Sequence, residues 1–212
     1  MLKESLYYSK ILLFGEYGII HDSMGLSIPY NDYNGKLLFS AAPDASSKDS
    51  NQKLEKFLSH LEGLEAEGKL PCDLDLKKFR ADLNKGMHFD SSIPQGFGVG
   101  SSGAIVAAIY DNYSQDKIAS DANMSNEKFI ALKKIFGTLE SYYHGKSSGL
   151  DPLICYLNLP VLIKSKSEVG TVGLPDTSTG KGAIFLMNTG TTGKTQPLVQ
   201  HFMERGKEEG SR

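Results

Sequence analysis

The sequence has few cysteines, no excess of either charge and no long apolar run, and each shortage excludes a class of protein. Two cysteines, Cys72 and Cys155, in 212 residues cannot build a disulfide framework or a four-thiolate zinc site, and a reducing cytosol suits them. Lys and Arg number 23 against 25 Asp and Glu, a formal net charge of −2. No basic face is implied, so nucleic acid is not an expected partner. No stretch approaches the roughly 18 apolar residues of a membrane span. The N-terminus, MLKESLYYSK, has no apolar h-region and no small-residue cleavage site. A cytoplasmic protein without a membrane partner is therefore expected. There is no internal repeat, and the 22 glycines are not periodic, which excludes collagen. What is present, 40% apolar and 23% charged residues, is the composition of a globular chain.

Patterning divides the chain. Segment 9–15 (SKILLFG) is an apolar run closed by glycine and predicts a strand. Segments 26–30 and 36–41 predict two more, with Asn34-Gly35 as a hairpin turn between them. The Ser/Asp-rich stretch 43–51 reads as an exposed loop. Leu54, Phe57, Leu58 and Leu61 follow helical spacing. A second helix is expected over 75–85, stopped by Gly86, and a strand over 87–93. A helix over 102–113 follows the densest glycine cluster. Another spans 126–144, with Ser125 as N-cap and Gly145 as stop. Segments 152–157, 161–164 and 169–172 read as short strands, 174–182 as a polar linker, 183–188 as a strand and 196–209 as a helix. That last pair is too little to bury a core alone, so it reads as the start of an incomplete second domain.

Three places can carry chemistry. Residues 98–103, G-V-G-S-S-G, fit G-x-G-x-x-G literally, but Pro94, Gln95 and Gly96 separate them from the preceding strand. Position 118, where a dinucleotide fold wants an acid, is isoleucine. GTTGKT at 190–195 fails as a phosphate-binding P-loop because the required glycine is Asn188. The physics outlives both motifs. Gly96, Gly98 and Gly100 let backbone approach a ligand, and Val99, Ser101 and Ser102 complete a loop at a helix N-terminus, where free N–H groups favour phosphate. Glu140 borders the buried face of its helix, a costly position unless it is paired or binds a cation. Asp151 precedes Pro152 and should be extended. The two carboxylates can divide into a cation holder and a base for a hydroxyl; they equally fit a solvated helix-end Glu and a turn-starting Asp. Lys10 enters the first strand either as an edge charge or as a donor to phosphate. Glu16, His21 and His144 are ambiguous.

In order along the chain, SKILLFGEYGIIH (9–21), PQGFGVGSSGA (94–104), the segment from Glu140 through His144, Gly145, Ser148 and Gly149 to Asp151, and LMNTGTTGKT (186–195) resemble the GHMP kinase superfamily, nearest its mevalonate kinase-like members. Gly103 stands where the second motif usually has alanine. The family's third glycine-rich motif is missing, which implies a C-terminally truncated form. The resemblance implies an α+β fold: a ribosomal protein S5 domain 2-like N-terminal domain over 1–173, then the start of a ferredoxin-like domain over 183–212. It implies ATP and Mg²⁺ as cofactors and a small-molecule alcohol, mevalonate or mevalonate-like, as acceptor. A sugar or homoserine acceptor, or a non-catalytic nucleotide-binding role, are its alternatives, and a homodimer is compatible with it. It assigns residues 96–102 to the triphosphate, Ser102 and Glu140 to Mg²⁺, and Asp151 and Lys10 to catalysis.

Overall fold

The structure is a computed structural model that describes residues 2–16, 18–121, 123–165, 167–173, 186–187, 190–193 and 195–209. One long strand organises it. β2 (Gly25–Phe39) pairs antiparallel with β1 (Tyr7–Phe14) along one edge. On its other pairings it takes β3 (Met87–Ser91) through residues 35–39 and β4 (Val161–Ile163) through residues 25–27; β5 (Val169–Thr171) then extends the sheet from β4. Among the described residues all pairings are antiparallel and helices supply more than half of what lies outside the strands, so the α+β expectation holds.

The expected hairpin at Asn34-Gly35 is not there. β2 runs straight through it, and the β1–β2 register slips between Tyr8 and Ser9, so that the partner jumps from Asn34 to Tyr30. The turn signal marks a bulge instead. Gly35 has its own reason: a Cβ there would lie 2.4 Å from the Phe89 ring on β3.

Five helices cover the sheet. α1 (Ala45–Ala66) buries the expected Leu54, Phe57, Leu58 and Leu61. It begins nine residues before Leu54, inside the supposed loop 43–51, because Asp44 caps it by accepting from Ser47 N at 2.8 Å. α2 (Leu76–Asn84) starts under an Asp75 cap and ends before Gly86 at φ +85°. α3 (Ser101–Tyr113) is buried almost all round through Ala104, Val106, Ala107, Ala108 and Ile109, as an apolar helix at the centre of a domain must be. α4 (Asn126–His144) has the expected bounds, with Ser125 and Gly145 at its caps.

Segment 152–157 is a helix, α5 (Leu150–Leu157), and not a strand. Six apolar residues carry no decisive period. Pro152 sits in the first helical turn, where its missing N–H costs nothing, and Asp151 is therefore helical rather than extended. α6 (Thr195–Glu209) matches the expected last helix. The linker 174–182 and most of the expected strand 183–188 lie outside the described residues; Leu186 and Met187 are described, exposed and not in a strand. Among the described residues no helix is long and apolar enough to cross a membrane.

One close approach fixes the turn between α4 and α5. Gly149 has φ +74°, and a Cβ on it would lie 2.0 Å from Lys133 O and 2.6 Å from Gly137 N. The turn can lie flat on α4 only as glycine. Gly149→Ala is expected to cost more than about 2 kcal/mol in a urea unfolding series. Gly98→Ala has a similar positive φ but open space around it, so about 1 kcal/mol is expected. Equal stability of Gly149→Ala and the parent would contradict the packing described.

Candidate functional site

Four parts of the chain converge. β1 carries Lys10, the loop before α3 carries residues 96–100, the last turns of α4 carry Glu140 and His144, and the first turn of α5 carries Asp151. Lys10 N donates to Val99 O at 3.0 Å, which stitches the strand to the glycine loop. The three alternate glycines all have left-handed backbone: Gly96 at φ +80°, Gly98 at +71° and Gly100 at +85°. Each is required differently. Gly100 is the α3 N-cap, and a Cβ on it would press Lys10 Cγ at 3.0 Å and Cys155 Sγ at 3.4 Å. Gly96 faces the 190–193 segment: Gly193 N donates to Gly96 O at 3.1 Å, and Thr192 crowds the place of a Cβ. Gly98 has nothing within 4 Å there, so its side of the loop is open to a ligand. The first N–H groups of α3 have no intrahelical acceptor.

The carboxylates sit on either side of this helix end. Asp151 Oδ1 is 2.9 Å from Lys10 Nζ. Burial works against the Lys10 ammonium, but the charge and hydrogen bond of Asp151 outweigh it and hold its pKa above the ordinary value. Glu140 is buried and only 3% exposed. Its Oε1 accepts from Ser102 Oγ at 3.0 Å and its Oε2 accepts from Ser147 Oγ. Burial, then the charge of Asp151, push its carboxyl up to about 7; the two hydroxyls and Lys10 pull the other way without prevailing. Burial without a directly bonded cation favours the acid form.

Gly103 is explained here too. A Cβ on it would lie 2.8 Å from the Asp151 carbonyl carbon and the Pro152 nitrogen. The first turns of α3 and α5 touch at this point, and glycine permits the contact.

The residues singled out from sequence thus fall into two bonded pairs, Lys10 with Asp151 and Ser102 with Glu140, beside the glycine loop. Sequence reasoning missed Ser147, which lies in the right motif but had no pattern to distinguish it. It also left His144 ambiguous, although its Nε2 lies 3.0 Å from Ser102 Oγ. His21 lies elsewhere, 5.7 Å centroid to centroid from Phe202 of α6.

Among the described residues no group of three His, Cys, Asp or Glu side chains is arranged to hold a metal. Ser102 and Glu140 alone make a partial oxygen site. That fits a hard cation which keeps waters and takes its other ligands from phosphates. A groove of about 480 Å³ is lined by Lys133, Lys134, Thr138, Ser141, Lys146 and Ser147, among others, and by no glycine-loop residue. Ser147 is what it shares with the site.

Residues 72–158 match the model of the GHMP kinases N terminal domain. Over these residues, about two fifths of the chain, it is similar to the GHMP kinases. The matched stretch holds the glycine loop, Glu140 and Asp151; Lys10 lies outside it. Two solved structures are similar to the chain at 18% identity each. One is the L. major mevalonate kinase in complex with R-mevalonate, with a TM-score of 0.44 over 76% of this chain and 48% of that chain. The other is the mevalonate kinase of methicillin-resistant Staphylococcus aureus MRSA252, with a TM-score of 0.41 over 79% and 54%. The chain therefore spans about half the length of each. No curated protein matches it.

The raised carboxyl of Glu140 has a consequence for stability. Folding favours its acid form, so the stability it contributes is complete below its ordinary pKa of 4.5 and lost as pH rises through about 7. Glu140→Gln stays neutral and keeps that stability. Without divalent metal, the variant is expected to melt above the parent at pH 8, by up to about 3 kcal/mol of stability, and close to it at pH 4. Parallel melting curves for parent and variant across this range would contradict the assignment.

Proposed function

We propose that this chain carries the nucleotide-binding part of an ATP-dependent small-molecule kinase. It would transfer the γ-phosphoryl group to the hydroxyl of an alcohol, mevalonate or a mevalonate-like acceptor. The observation that carries the proposal is the pairing of Lys10 with Asp151 beside the Gly98 side of the loop, with Ser102 and Glu140 across the same helix end. Domain boundaries are proposed at 1–173 and 183–212, the second part being the start of a further domain.

Backbone N–H groups of residues 96–102 would hold the phosphates, with the α3 dipole adding to the attraction. Ser102 and Glu140 would hold Mg²⁺, which when bound supplies charge neutralisation at the phosphates. Asp151 accepts the proton of the acceptor hydroxyl. Lys10, 2.9 Å from it, holds that carboxylate in place by an ion pair and offsets negative charge as the hydroxyl oxygen attacks. Phosphoryl transfer asks the protein chiefly for positioning and charge, so a short set of residues is enough.

Asp151→Asn separates this role from a structural one. Asparagine keeps the size and suits a helix first turn, but cannot take the proton. The kcat is expected to fall by about 10²–10⁴, with ATP affinity within a few-fold of the parent. A kcat within threefold of the parent would refute Asp151 as the base.

A further inference from the structure

The two hydroxyls on Glu140 are built alike. Ser147 Oγ donates to Oε2 and itself accepts from Gly149 N at 3.0 Å. Its single proton is therefore committed to the carboxylate. Ser102 Oγ donates to Oε1 at 3.0 Å, and the second group on it is His144 Nε2, also at 3.0 Å. A hydroxyl has one proton and two lone pairs. With the proton on Glu140, the imidazole must be the donor, Nε2–H to Oγ. His144 then does for Ser102 what the Gly149 amide does for Ser147.

We propose that His144 is a positioning residue for the divalent cation: its Nε2–H holds the Ser102 hydroxyl in one rotamer, proton toward Glu140, and leaves one oxygen lone pair for the metal. This rests on the reading of Ser102 and Glu140 as the cation's holders. The placement follows from the fold. His144 is the last residue of α4, one turn beyond Glu140, so both side chains reach the same α3 residue. Gly145, at φ +71°, then ends the helix before the chain moves away. The ring is exposed on its other side, so its removal takes little from the core. Without the donor, the hydroxyl rotates freely, and its lone pair must be ordered when the cation binds.

The test needs no turnover. ATP is titrated calorimetrically into the parent, His144→Phe, His144→Gln and Ser102→Ala at a series of Mg²⁺ concentrations at pH 8, and without metal. Phe keeps a ring but no donor; Gln places an N–H at the same distance along the side chain as Nε2. For His144→Phe the Mg²⁺ concentration that half-tightens ATP binding is expected to rise about three- to tenfold, the range of one hydrogen bond. His144→Gln is expected to return to within twofold of the parent, and metal-free ATP binding is expected to be unchanged in both. A Mg²⁺ dependence of His144→Phe equal to the parent, with that of Ser102→Ala shifted, would overturn the role of His144 and leave the cation reading standing. Equal defects in Phe and Gln, or a loss of metal-free ATP binding in His144→Phe, would also overturn it. If Ser102→Ala leaves the Mg²⁺ dependence unmoved, or the parent binds no ATP, the cation reading fails and this proposal with it.

Discussion

One ammonium faces two carboxylates. Lys10 is bonded to Asp151 and acts at longer range on Glu140, whose ionisation is opposed first by burial and then by the charge of Asp151. The arrangement is one positive charge short. In a low-dielectric setting such an imbalance is tolerable only if a proton or a cation supplies the difference. Much of the surrounding structure follows from keeping these groups together. The Lys10–Val99 backbone bond, the Cys155 thiol packed under Gly100, and the contact of Gly103 with Asp151 hold β1, the start of α3 and α5 together at one point.

Glycine is the material of that convergence. Gly100, Gly103 and Gly149 are each required by a neighbour that occupies the place of a side chain, whereas Gly98 is required by nothing visible on the chain itself. Gly68 and Gly86 are equally bare at positive φ but close α1 and α2, whereas Gly98 closes no helix, so its left-handed backbone needs another reason. A ligand approaching the backbone closely supplies one.

Much of this was legible in the sequence, and the failures have physical causes. α1, α2 and α4 follow from apolar spacing over two or more turns, and the loop before α3 from its glycine density. Segment 152–157 was misread because a run buried on all sides loses the period that separates strand from helix. The Asn34-Gly35 signal was real but local: turn chemistry permits a reversal, and Phe89 stacked over Gly35 shows that a flat, bulged strand used the same residues. In the site, Glu140 was visible as an acid on a buried border, and Lys10, Ser102 and Asp151 through motif resemblance. Ser147 and His144 were not: Ser147 depends on how the 145–149 turn folds back on α4, which only Gly149 against Lys133 and Gly137 reveals, and His144 depends on how the end of α4 packs against Ser102 of α3. The Gly103 departure was visible as a difference but became intelligible only through the α3–α5 contact.

The central claim is that the glycine loop and its flanking charges form a nucleotide phosphate site, and calorimetric titration of Mg-ATP into the folded chain tests it most directly. The account predicts binding with Kd between micromolar and millimolar, about −4 to −8 kcal/mol, weakened at least about tenfold by Gly98→Val, whose side chain would point into the open space over the loop. Absence of Mg-ATP binding by a folded parent, or full affinity in a folded Gly98→Val, would contradict it.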